Sequence, residues 1–275
     1  MRYGLDVPVS GDYADPRLLA SLAADAEAAG WDGFFLQDGV NAAEPMADPW
    51  IALGVVALAT SRLRIGVLVT PLARRRPWQV ARQATTLDQL SGGRLTLGAG
   101  LGFSAVDFTP FGEPWDARTR AEMLDEALSV VTGLWSGSPF SFHGRHYRLD
   151  EVTIAPPPVQ RPRVPVWLAA GWPNRRPLAR AARWDGVYLM TAHQRTGELL
   201  EPADVAGAVA ELGVVGAGFD VAFNAVRPSA PELASARVRE FAAAGGTWWV
   251  ELAPPPSEGG PSAYRSRIRG GPPLP

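Results

Sequence analysis

The sequence predicts an α/β protein of the (β/α)8 type, a TIM barrel with an insertion between the fourth helix and the fifth strand. Three observations predict it. Eight short apolar runs are continuous rather than alternating, as expected of strands buried on both faces of a parallel sheet. Nearly every run is followed by a helix-like stretch, and the first four runs start about 30 residues apart. The eight units fill about 250 residues, which suits a closed barrel better than an open doubly wound sheet.

The first four strands are expected at residues 3–9, 33–37, 65–70 and 95–99. Asp15 as N-cap and Pro16 at the first helical position open the first helix. Leu18, Leu19, Leu22 and Ala26 share one of its faces, and Gly30 stops it. Asp48 and Pro49 repeat the signal before residues 51–60, Pro77 opens a stretch ending at Leu90, and residues 116–135 make the fourth helix. Then the spacing breaks. Residues 136–165 are rich in Gly and Pro and read as an insertion, in which Phe140, Phe142 and Tyr147 suggest a short hairpin. Strands resume at 166–170, 186–190, 220–226 and 247–252, with helices at 174–183, 202–212 and 231–244 between them. One barrel domain is expected over residues 1–253. The tail, 254–275, is rich in Pro, Gly and Ser; only residues 264–269 have helical character, and parts of the tail are expected to be poorly ordered.

Composition excludes several functions. Among 275 residues, 26 basic side chains face 28 acidic ones, so nothing marks a nucleic acid or an anionic membrane as a partner. The longest apolar run, 50–59, falls well short of the roughly 20 residues a bilayer requires, and residues 1–12 do not read as a signal peptide. A cytoplasmic location is expected. There is no cysteine, hence no disulfide, thiolate nucleophile or iron–sulfur cluster. Every basic residue is arginine, which removes a Schiff-base lysine and the lysine of a phosphate-binding P-loop. No nucleophile elbow occurs. A barrel hydrolase would need two carboxylates at strand ends, where only Asp38 is obvious.

In such a barrel the chemistry sits where the βα loops converge, past the C-terminal strand ends. The residues there are Gln37, Asp38 and Gly39; Val69, Thr70 and Pro71; Gly98, Gly100 and Gly102; residues 170–176; and Met190 to His193. The run Gly98-Ala99-Gly100-Leu101-Gly102 fails the dinucleotide pattern, since Phe103 stands where the third glycine belongs. Bare backbone still lets a flat ring approach closely. Residues 169–176 lead a strand into a helix N-terminus beside Arg175 and Arg176, the chemistry of an anion site. The alternative is a plain helix cap with solvated arginines. The run Arg74, Arg75, Arg76 reads as a solvated rim or as salt-bridged to neighbours. His143 and His146 have a metal-like spacing but no third ligand nearby in sequence, and His193 is a candidate polar contact at the mouth. Trp50, Trp115 and Trp172, near strand ends, could line an apolar pocket.

With the strand ends laid out, the sequence resembles the luciferase-like superfamily of flavin- and deazaflavin-dependent oxidoreductases. The stretches that carry the resemblance are Ala29 to Asp38, Arg62 to Pro71, and Arg76-Pro77 through Leu90-Ser91-Gly92-Gly93-Arg94 to Gly100, continued by Pro162 to Gly171 and Asp185-Gly186. It runs from Arg2 to Leu252. It implies a barrel whose strand ends hold FMN or the deazaflavin coenzyme F420, and a homodimer. By similarity, a non-prolyl cis peptide lies between Val69 and Thr70, and Gly100 lies near the ring. Ala169, Ala170, Gly171 and Thr191 match positions that cradle the phosphate and ribityl chain, with Arg175 beside them. Asp38 matches an acidic residue at the end of the second strand and is the best catalytic candidate. One departure stands out: the histidine that many relatives carry after that aspartate is Gly39 here, and glycine serves as neither base nor anchor. The resemblance therefore implies a monooxygenase or a hydride-transferring reductase or dehydrogenase for a small organic substrate, the former easier to reconcile with Gly39. The alternative is a non-catalytic barrel that keeps the cofactor cradle but has lost its acid–base residues.

Overall fold

The computed structural model describes residues 1–41, 43–192, 198–213, 216–254 and 256–273. Eight parallel strands close into a barrel: β1 (Arg2–Val7), β2 (Gly33–Leu36), β3 (Arg64–Pro71), β4 (Leu95–Gly100) and, after an antiparallel hairpin of β5 (Phe140–His143) and β6 (Arg148–Val152), β7 (Val166–Trp172), β8 (Gly186–Thr191), β9 (Asp220–Ala225) and β10 (Trp248–Leu252). The helices around it are α1 (Pro16–Ala28), α2 (Pro49–Ala59), α3 (Pro77–Ser91), α4 (Ala117–Leu134), α5 (Arg175–Ala181), α6 (Pro202–Leu212), α7 (Pro231–Ala243) and α8 (Gly260–Arg269). The hairpin stands outside the cylinder, so β4 pairs directly with β7. Closure comes from β10 against β1, with Arg2 opposite Trp248.

Local chemistry sets the helix starts. Asp15, Asp48 and Asp116 accept hydrogen bonds from the backbone N–H of Arg17, Ile51 and Thr119, donors that no preceding turn can satisfy. Gly92 in the left-handed conformation ends α3.

Strand side chains feed two cores. Leu5, Phe34, Leu36, Val67, Leu97, Leu168, Leu189 and Phe223 pack outward with the helices. Phe35, Leu68, Trp167, Tyr188, Ala222, Trp248 and Val250 fill the lumen. Both faces are apolar, which is why the strands read as unbroken runs. Phe35, Trp167 and Trp248 meet with ring centroids 5.2 to 6.0 Å apart. Asp220, at the start of β9, accepts hydrogen bonds from the indole N–H groups of Trp167 (3.2 Å) and Trp248 (3.0 Å) and from Arg2 (2.7 Å). These contacts fill the N-terminal end of the cylinder and leave its C-terminal end as the mouth.

Past Pro254, where loose chain is expected, Gly260–Arg269 forms α8, a longer helix than residues 264–269 suggest. Tyr264 and Ile268 are fully buried, and the Trp31 indole donates to the Ile268 carbonyl at 2.9 Å. Arg267 and Arg227 flank the buried Glu251 of β10 at 2.7 and 3.3 Å. Two apolar residues in a Pro- and Gly-rich segment are too sparse a pattern to announce such a helix; its docking surface comes from elsewhere in the chain.

Candidate active site

The mouth is shaped first by β3. Its pairing with β4 slips between Val67 and Thr70, and the Leu68–Val69 peptide is cis. The resemblance implies this feature at Val69–Thr70; it lies one residue earlier. The slip lets Leu68 and Val69 both pack with the lumen cluster. Thr70 then pairs with Ala99 of the outer core, fully buried, its hydroxyl without a hydrogen-bond partner. Thr70 thus shares the outward face of the strands with Ala99. A Cβ on Gly100 would stand 2.7 Å from Val69 Cγ2 and 3.1 Å from Ala169 Cβ, so only glycine lets β4 pass beneath Val69.

On β7 strand parity divides the expected cradle. Ala169 and Gly171 are half-buried at the mouth, whereas Ala170 packs into the outer core. Met190, opposite Gly171 on β8, completes a bare apolar row with Val69 and Gly100. Thr191 donates its hydroxyl proton to the Glu198 carbonyl at 3.1 Å and so fastens the loop after β8. Arg175, at the start of α5, is 80% exposed and pairs with Glu211 at 3.3 Å. His193 lies outside the described residues.

Asp38, the best catalytic candidate of the sequence, sits against two arginines of the loop after β3. Its side chain is fully buried, taking Arg74 at 2.7 Å and Arg75 at 2.8 Å. Both carboxylate oxygens are engaged by Arg75. The arginine run is thus salt-bridged at Arg74 and Arg75, and Asp38 anchors the loop after β3. Gly39 sits against Met46, whose Cε would be 3.0 Å from an added Cβ, so a histidine would not fit there without displacing Met46. Asp107 accepts from the backbone N–H of Val40 (2.9 Å) and Asn41 (3.0 Å), tying the loop after β2 to the loop after β4. Arg120 supports the latter loop by donating to the Leu101 and Gly102 carbonyls, with its guanidinium 3.8 Å from the Trp115 ring centre. The Trp172 indole donates to Asp204 at 3.1 Å. In the hairpin region His143 pairs with Asp150 and His146 with Glu122.

Sequence reasoning missed two residues of the inner wall. Asp6 of β1 is 4% exposed; Tyr188 donates to its Oδ2 at 2.9 Å, while Oδ1 has no hydrogen-bond partner. Asn224 of β9 is 1% exposed, and neither of its amide atoms is partnered. A usable signal existed: a lone carboxylate or amide inside an apolar strand has to be paired or put to use. A surface cleft of about 910 Å3 lies between α3 and the hairpin, lined by Trp78, Arg82 and Asp150.

A closed (β/α)8 cylinder with a bulged third strand, its C-terminal mouth apolar over buried polar atoms, defines a (β/α)8 barrel with its candidate site at the strand ends. Residues 4–266 match the model of the luciferase-like monooxygenase family, and the chain belongs to that family. It is 35% identical over 185 residues to the F420-dependent glucose-6-phosphate dehydrogenase of Beutenbergia cavernae, covering 64% of this chain and 53% of that protein. It is 30% identical over 159 residues to the FMNH2-dependent dimethylsulfone monooxygenase of Pseudomonas putida, covering 56% and 42%. The chain thus spans about half the length of the curated relatives it matches. The coenzyme F420 dependent tetrahydromethanopterin reductase of Methanopyrus kandleri has the same fold, with a TM-score of 0.80 over 98% of this chain and 97% of that one at 18% identity.

Proposed function

We propose that this barrel is an oxidoreductase that holds FMN or coenzyme F420 across its mouth and acts on a small organic substrate, as a monooxygenase or as a hydride-transferring reductase or dehydrogenase. The observation that carries the reading is the row Val69, Gly100, Ala169, Gly171 and Met190, small or apolar residues set over a filled lumen. The residues present fit a flat ring with a polar edge. Glycine and alanine leave room for its face, and the unpartnered Asn224 amide supplies polar atoms in the same lumen. When bound, such a cofactor supplies the two-electron chemistry. The protein's share is binding, orientation and exclusion of water. Val69 and Gly100 would back the ring, and Gly171, beside Ala192, would leave space for the phosphate. A second reading, a barrel that binds the cofactor without turnover, is favoured by Gly39 and by the engagement of Asp38 with two arginines.

Titration of the apo-protein with FMN and with F420, followed by absorbance and fluorescence, tests the reading: tight binding of one is expected. Gly171→Asp is expected to weaken that binding by at least ~100-fold, because a carboxylate would face the phosphate at close range. Its Cβ alone would come within 3.2 Å of Ala192 Cα. Unchanged affinity would show the cradle to be misplaced.

The reading includes a cytoplasmic homodimer. Among the described residues no helix is long and apolar enough to cross a membrane. Helix α2 leaves Ile51 and Leu58 each 70% exposed, with Val55 between them on the same face. A second copy covering this stripe would account for it. Leu58→Glu is expected to convert the dimer to monomer, measured by light scattering on a sizing column; a wild-type monomer, or a dimer indifferent to the change, would remove α2 from the interface.

A further inference from the structure

The cofactor reading leaves one buried carboxyl without a task. Asp6 lies near the C-terminal end of β1, opposite Phe35 and Leu252. Its partner Tyr188 is on β8, three strands round the cylinder, so the phenol crosses the lumen to reach Oδ2. The rings of Phe35, Trp167 and Trp248 pack against one another in the same lumen. Gln37, just past β2, also acts on the carboxyl. Among the described residues, the buried Tyr264 of α8 also feels the Asp6 charge. Burial pushes the Asp6 carboxyl up to about 7, against the opposing pull of the Tyr188 hydrogen bond and the nearby Gln37 amide. Meanwhile Asp38 is held by two arginines, and Gly39 has no side chain to give or take a proton.

We propose that Asp6, steadied by Tyr188, is the acid–base residue of this site, exchanging a proton through Oδ1 with the oxygen of a carbonyl substrate or of the alcohol it becomes. The inference rests on the cofactor reading above and narrows its substrate to the carbonyl–alcohol class. In the reducing direction the carbonyl carbon gains a hydride from a reduced flavin or deazaflavin, which leaves oxidised by two electrons. The π pair of the C=O bond moves to oxygen, the Asp6 proton completes the hydroxyl, and water reprotonates the carboxylate. Oxidation of an alcohol is the reverse, with Asp6 as base. A carboxyl that is half-ionised near neutral pH suits both directions.

The test uses Asp6→Asn and Tyr188→Phe, with cofactor affinity measured separately by fluorescence. Infrared titration of the apo-protein is expected to show a carboxyl titrating near 7 that Asp6→Asn removes and Tyr188→Phe moves to higher pH, since the phenol favours the ionised form. With cofactor loaded, oxidation of the reduced form by a panel of aldehydes and ketones is expected to fall at least ~100-fold in kcat for Asp6→Asn, at unchanged cofactor affinity. In the wild type kcat/KM for reduction falls as pH rises through about 7, and Tyr188→Phe displaces that limb upward. A merely structural Asp6 would lower stability or cofactor affinity without moving the limb, and that result overturns the proposal. So does wild-type turnover by Asp6→Asn, or a cofactor-loaded wild type that reduces no carbonyl. If the variants do not fold, the wild-type infrared titration decides: absence of the near-neutral carboxyl overturns the assignment. If neither FMN nor F420 binds the wild type, the cofactor reading itself fails and this inference with it.

Discussion

Asp38→Ala is expected to lower the stability of the barrel by about 3–5 kcal/mol, the loss seen when one member of a buried ion pair is removed and its partner stays. The carboxylate is fully buried, the Arg74 side chain is 5% exposed and that of Arg75 16%. Without it two guanidiniums face each other at low dielectric, and Arg74 already has an Nε with no hydrogen-bond partner. For a domain of this size that loss shifts the thermal midpoint by about 10 °C. Calorimetry distinguishes this from the role the sequence suggests. A proton acceptor at position 38 would lose turnover on substitution while keeping its melting temperature, whereas an anchor loses the melting temperature. A midpoint within about 1 °C of wild type would contradict the anchoring role, because the shift expected from a lost buried pair is several times larger.

Gly98→Ala is the second large effect. An added Cβ would stand 2.2 Å from the Val67 carbonyl oxygen and 2.7 Å from Leu68 Cδ2. The first of these is backbone in a neighbouring strand of a closed cylinder and has nowhere to retreat without breaking the pairing of β3 with β4. The cost is expected to reach at least ~3 kcal/mol, the upper end for overpacking a core. Because the same strand carries Gly100 against Val69, cofactor affinity is expected to fall as well. Gly216→Ala is the control: its Cβ would meet nothing within 4 Å, and the change is expected to stay within about 0.5 kcal/mol. Denaturant melts of both variants check the contrast; a Gly98→Ala protein as stable as the control would mean that β3 and β4 are more loosely joined than their register implies.

The fold was legible because a parallel barrel buries both faces of every strand, so composition alone marks them, and because Asp–Pro pairs at Asp15-Pro16 and Asp48-Pro49 announce helix starts locally. The same property hid the site. When inner and outer residues are both apolar, a strand offers no period-two signal, so Ala169 and Ala170 cannot be told apart although one faces the mouth and the other the helices. The slip in β3 shifts parity by one between Val67 and Thr70, which is why Val69 faces the lumen and Thr70 does not. The pairing of Asp38 with Arg74 and Arg75 spans more than thirty residues, and that of Asp6 with Tyr188 spans 182. Contacts so distant along the chain leave no trace in local pattern.

The seam between β1 and β10 has a consequence for how the molecule is made. It joins Arg2 to Trp248, and α1 meets α8 across it. Until residues 248–252 have been synthesised, β1 has a partner on one side only, and its other edge is an unsatisfied row of N–H and C=O groups flanked by Leu5 and Val7. Assembly must therefore wait on the most distant pairing in the chain, and such topologies gain their last contacts slowly. During that interval the nascent chain is a half-open sheet with a sticky margin, and a cell making this protein in quantity has reason to keep a chaperone close to the first strand.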